Sequence, residues 1–130
     1  MVDAVSLAAA LLALLKTLGS KLDSIKTQYK ESKANIDILK KKCRVLDSVL
    51  HSIQGMSIND QLRKQFETCL HECQDTISRV LEETSKLDPL SGLQSVTFKI
   101  WWNGNTMKEL VTALTNDQLN LSSLFQANLA

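Results

Sequence analysis

The 130-residue chain has one proline, four glycines and only 5% aromatic residues. A turn-rich all-β architecture needs more of all three, so the composition points to helices. Its three cysteines are an odd number in a cysteine-poor chain, which excludes a disulfide framework and fits a reducing, intracellular setting. No positive residue precedes the apolar run at the start: Asp3 is the only charge there, and no small-residue cleavage site follows. That argues against a secretory signal peptide. The run itself is short. Eleven of the twelve residues from Ala4 to Leu15 are apolar, but twelve helical residues span about 18 Å against a hydrocarbon core of roughly 30 Å. A conventional transmembrane span is therefore not expected, and a buried or interfacial helix remains. The sequon at Asn120 falls within an expected helix and is read as chance.

Chemistry-bearing motifs are also scarce. There is no Gly-rich phosphate loop, no acidic pair in a motif context, and no serine or cysteine nucleophile matched to His51 or His71. Cys69, His71 and Cys73 lie close in sequence, but on a helix His71 points away from the two thiols, and no second pair at zinc-site spacing accompanies them. The expectation is a protein that is not an enzyme, with no catalytic residues, no cofactor and no metal, and with structural thiols at Cys43, Cys69 and Cys73.

What the chain does have is hydrophobic periodicity. Leu11, Leu15, Leu18, Leu22, Ile25 and Tyr29, then Ile36, Leu39, Cys43, Leu46, Leu50 and Ile53, recur at steps of three and four, with Ser32 as the one gap. Unbroken, this would be a helix about 75 Å long, too long for a compact domain of this size. A break is therefore placed near Glu31–Asn35, with Asn35 as a cap. Helix A covers about 3–30 and helix B about 35–54, ended by Gly55. Helix C covers about 59–87, with Leu62, Phe66, Cys69, Cys73, Ile77, Val80 and Leu87 inward, and is ended by Asp88-Pro89 and Gly92. Leu93–Trp102 reads as an extended or irregular connector, though a short strand or an extra short helix would also fit. Thr106 and Glu109 form a capping box for helix D, with Met107, Leu110, Val111, Leu114, Leu121, Leu124 and Phe125 inward. The expected fold is all-α, a single domain over 1–130 built as an antiparallel bundle of four long helices.

The net charge of +1 hides an asymmetry. From Lys16 to Arg44 nine basic residues face three acidic ones, whereas residues 45–130 carry six basic and ten acidic. A basic first third is either a solvated, internally paired face or a footprint for anionic lipid or nucleic acid. Lys40-Lys41-Lys42-x-Arg44 is too short, and fans too widely around a helix, to favour nucleic acid. Trp101 and Trp102 are adjacent and cannot point the same way on a helix. One is expected to pack inward while the other is partly exposed, as at interfaces.

The chain resembles the HeLo-like N-terminal domains of fungal STAND receptors and cell-death effectors, which are related in architecture to the four-helix bundle of mixed-lineage kinase-domain-like proteins. Three stretches carry the resemblance: the opening MVDAVSLAAALLALL, the helix ANIDILKKKCRVLDSVLHSI, and the ending TFKIWWNGNTMKELVTALTNDQLNLSSLFQANLA. It implies a cytoplasmic domain that relocates to the plasma membrane and kills the cell after oligomerisation. It also implies that the domain is the N-terminal part of a longer protein, with a receptor or amyloid-signalling module in cis. In that reading Val5, Leu7, Leu11, Leu12, Leu14 and Leu15 form the membrane-active helix, Lys16, Lys21, Lys26 and Lys30 meet anionic headgroups, and Trp101 and Trp102 offer an interface. The alternative is an adaptor that self-associates through the same apolar face without touching lipid.

Overall fold

The computed structural model describes residues 3–87 and 98–129. Among them there is no strand. The described residues form four long helices and one short one: α1 Ala4–Gln28, α2 Lys33–Gln54, α3 Arg63–Ser85, α4 Phe98–Asn103 and α5 Asn105–Leu129.

α1 starts where Asp3 accepts a hydrogen bond from the backbone N–H of Ser6 at 2.7 Å, satisfying one of the orphan donors of the first turn. Its break from α2 comes where the periodicity lapses. Tyr29 turns extended and Lys30–Ser32 make a single 3-10 turn. The cap is different from the one expected. Asn35 lies inside α2, which begins at Lys33, and Ser32 holds the N-cap position without capping α2 through its side chain. Fully buried at the gap in the apolar series, Ser32 donates to the carbonyls of Tyr29 at 2.6 Å and Ile25 at 3.3 Å. A small residue fits between the helices there, and its hydroxyl finds partners in two carbonyls that also accept the N–H groups of Tyr29 and Ser32. α2 ends at Gln54, with Gly55 in the right-handed rather than the left-handed region.

α3 begins four residues later than the periodicity indicates. Asn59 accepts from the N–H of Gln61 at 2.9 Å and Asp60 pairs with Arg63 at 2.7 Å, so these residues close a turn before the helix. Its stripe is also rotated slightly: Leu70 is fully buried, while Leu62 and Cys69 are half-buried. Phe98–Asn103 is the short helix α4 rather than an extended connector. The rest of that connector, with the helix stop assigned to Asp88-Pro89 and Gly92, lies outside the described residues. Thr106 stands second in α5, inside the helix it was expected to cap. Of the seven residues expected inward on α5, Val111, Leu124 and Phe125 are half-buried.

α1 packs against α2 and α3, and α5 packs against the same two helices. The core is one continuous cluster, with Leu11, Leu18, Leu22, Leu39, Leu50 and Phe66 among its fully buried members. Polar contacts fix which ends meet. Lys26 pairs with Asp37 at 2.7 Å and Lys40 pairs with Asp23, joining the last turns of α1 to the first turns of α2. The Tyr29 hydroxyl donates to the carbonyl of Leu87, just past α3, at 3.2 Å. Asn128, near the end of α5, donates to the carbonyl of Ser57 at 3.0 Å. α4 rests on the 3-10 turn and on α5.

Candidate membrane-active helix and the α1–α2 groove

The apolar opening segment is docked in the core. Leu7, Leu11 and Leu15 are buried there, Leu12 and Leu14 are half-buried, and Val5 is 42% exposed. The outward face of α1 carries Ser6, Ala9, Ala10, Ala13, Thr17 and Ser20, all exposed. A leucine stripe inside and a small-residue face outside account for the greasy composition: alanine is apolar but exposes little area. The twelve-residue run argued against a span, but over all 25 residues of α1 the helix is, by length and composition, long and apolar enough to cross a membrane, with a window of mean hydropathy 1.5 of which 33% is buried.

The four lysines divide. Lys26 is held by Asp37, whereas Lys16 and Lys30 are exposed and Lys21 is half-buried. The lysine cluster of α2 fans out as helical geometry requires. Lys40 turns to Asp23 on α1, Lys42 donates to Thr115 on α5 at 2.8 Å, and Lys41 is exposed. Trp101 is buried, its indole N–H donating to the Glu83 carbonyl at 3.0 Å, and Trp102 is half-buried. Their positions diverge on α4, yet both rings meet Phe98, at centroid distances of 5.7 and 5.8 Å.

Between α1 and α2 runs a groove of about 550 Å³, a size typical of small-molecule sites. Leu12, Leu15, Leu22 and Cys43 give it an apolar floor, and Lys16, Lys40 and Arg44 supply cations at its edge. Asp47 and His51, 3.6 Å apart, lie at one end. Periodicity placed Leu15, Leu22 and Cys43 in the core, whereas Leu12 lies outside that series and is half-buried; nothing in one helix alone shows that a groove forms beside them.

The environment of the three thiols disfavours the thiolate. Burial pushes Cys43 up to about 11 and Cys73 up to about 12, and Cys69 is raised for the same reason. Among the described residues no cluster of His, Cys, Asp or Glu is placed to hold a metal.

One polar group in the core escaped the sequence reading. Asp117 on α5 is buried, and its Oδ2 has no hydrogen-bond partner among the described residues. Burial raises its carboxyl above the ordinary value, the Thr76 hydroxyl opposes this, and the Glu72 charge adds to the rise. A raised folded-state value means the native state holds its proton more tightly than the unfolded chain, so this group favours folding as pH falls. At neutral pH its ionised form is a cost. Asp117→Asn is therefore expected to stabilise the fold by about 1 kcal/mol at pH 7. The advantage should shrink as pH approaches the ordinary aspartate value of 3.8, which urea unfolding of both proteins across that range would check. No family model matches the chain, and neither does any curated protein or solved structure.

Proposed function

We propose that this chain is a membrane-targeting helical bundle whose helix α1 leaves the core, after self-association, to enter and disrupt anionic membranes. The observation that carries the reading is the state of α1: long and apolar enough to span, yet with two-thirds of its most apolar window outside the buried set. Exposed Lys16 and Lys30 and half-buried Lys21 continue from that segment, each worth about 1 kcal/mol beside anionic headgroups. The resemblance to HeLo-like domains adds cell death as the outcome, with the cytoplasm as the resting location and the plasma membrane as the target. The four long helices are taken to alternate up and down. This is supported by the meeting of α1's end with α2's start and of α5's end with the loop before α3.

Dye release from vesicles tests this, with the chain alone and fused to a clustering module. Leakage is expected only with both clustering and anionic lipid. Val5→Glu with Ala9→Glu, two exposed positions that leave the core intact, should abolish it. Lys21→Gln with Lys30→Gln should weaken vesicle binding roughly thirtyfold. Leakage that survives the first pair in a folded protein removes α1 from the mechanism. The adaptor reading is favoured by a different observation: Ile38 and Val45, both exposed, stand seven residues apart on one face of α2. Concentration-dependent dimerisation without any leakage would select it.

A further inference from the structure

We propose that the α1–α2 groove is a binding site for a single-chain anionic amphiphile, a long-chain carboxylate whose tail lies on the apolar floor and whose head meets Arg44. The two ion pairs between these helices, Lys26 with Asp37 and Asp23 with Lys40, share one register: as the α1 number falls by three, the α2 number rises by three. Continued one turn further, the register sets Arg44 opposite Gly19, and both line the groove. The ladder of opposite charges therefore lacks its anion at that rung. Arg44 is in no ion pair among the described residues, nor is Lys16 one turn along. Lys40 keeps Asp23 as its partner, and the same register sets Lys16 opposite Asp47 with no ion pair between them, so exposed Arg44 is the groove's cation with no anion across from it.

Gly19 is the second observation. It lies inside a helix, where glycine costs about 1 kcal/mol relative to alanine. Yet a Cβ built there meets nothing within 4 Å. No neighbour demands a glycine, so its effect is to leave the groove open beside Arg44. An apolar floor of Leu12, Leu15, Leu22 and Cys43 under an unmatched guanidinium selects an acyl chain with an anionic head. A small inorganic anion would leave the floor empty, and a neutral chain would leave Arg44 unpaired. Because both helices line the site, an occupant also holds α1 in its docked position. The site does not depend on membrane activity.

Calorimetric titration of the whole chain with dodecanoate, dodecanol, acetate and inorganic phosphate tests the proposal. Dodecanoate is expected to bind and to raise the melting temperature, dodecanol to bind at least tenfold more weakly, and acetate and phosphate not to bind at the same concentrations. Gly19→Leu fills the open space and should lose both chain ligands, while Gly19→Glu completes the ladder internally and should lose dodecanoate while itself melting higher than the parent. Arg44→Gln should keep chain binding but erase the preference for the carboxylate. Circular dichroism establishes that each variant is folded. Failure of dodecanoate to bind the parent, or equal binding by folded Gly19→Leu and Arg44→Gln, overturns the site. Vesicle leakage by the parent, measured separately, is unaffected by either result, so loss of this site and loss of the membrane reading are told apart.

Discussion

Leu11→Glu is expected to abolish the cooperative fold, leaving no native state in which a function could be lost selectively. Leu11 is 0% exposed, on the face of α1 that meets both α2 and α3. Truncating such a leucine to alanine costs about 2–5 kcal/mol in lost transfer and cavity energy. A carboxylate with no partner in the same place adds several kcal/mol more, against a total stability of about 5–15 kcal/mol for a domain of this kind. Thermal unfolding followed by circular dichroism should show no cooperative transition, whereas Ala9→Glu on the outer face should melt close to the parent. A native-like melt for Leu11→Glu would mean that α1 is not part of the core. The contrast decides how membrane experiments are designed. Leu7, Leu11 and Leu15 are among the most apolar residues of the segment, but in the docked state their replacement reports on folding. Val5, Ala9 and, at the groove, Leu12 are the positions that report on what α1 touches outside.

The long helices were legible because their core positions recur at helical spacing: every apolar residue of the α1 and α2 series except Tyr29 is buried, and Tyr29 is half-buried. Ser32 marked the break, although as an absence in the series. Its hydrogen bonds were hidden because they run backwards to the end of α1, while cap signatures are sought forwards, at the start of the next helix. α4 was less legible for a different reason. Six residues cannot sustain a helix by local propensity, and the β-branched and aromatic composition of VTFKIWW suits a strand equally well. Contacts with Tyr29 and α5 decide it. Asp117 looks like any helix-surface aspartate in sequence, and only packing of α5 on α3 reveals it as buried. The groove is a property of register between two helices. Gly19 was visible as a mid-helix glycine, but its meaning depends on Arg44, which stands opposite it only after α1 and α2 dock.

Phe98→Ala is expected to cost about 3–5 kcal/mol, the usual range for a buried phenylalanine, and to release α4. Phe98 is 1% exposed and is the hub of an aromatic cluster. Its ring lies 6.3 Å from Tyr29, 5.7 Å from Trp101 and 5.8 Å from Trp102 in a near-parallel stack. Geometry of this kind adds about 0.5–1.5 kcal/mol per pair beyond area burial. Removing the hub opens a cavity among three rings that no longer share a neighbour, and α4 is too short to hold its conformation without them. The Trp101 indole then loses its place against the Glu83 carbonyl, so tryptophan emission should shift to the red as the melting temperature drops. Trp102→Ala provides the comparison. Trp102 is half-buried, so its truncation should cost less and leave Trp101 emission near its parental position. If Phe98→Ala instead melted like the parent with unchanged emission, α4 would be held by α5 alone and the aromatic cluster would be a consequence of docking. If the expected loss is seen, the cluster joins three parts of the fold: the turn that ends α1, the end of α3 and the start of α5. If α1 is released as proposed, release would then begin at its other end, around Val5 and Leu7, where no such aromatic cluster is present among the described residues.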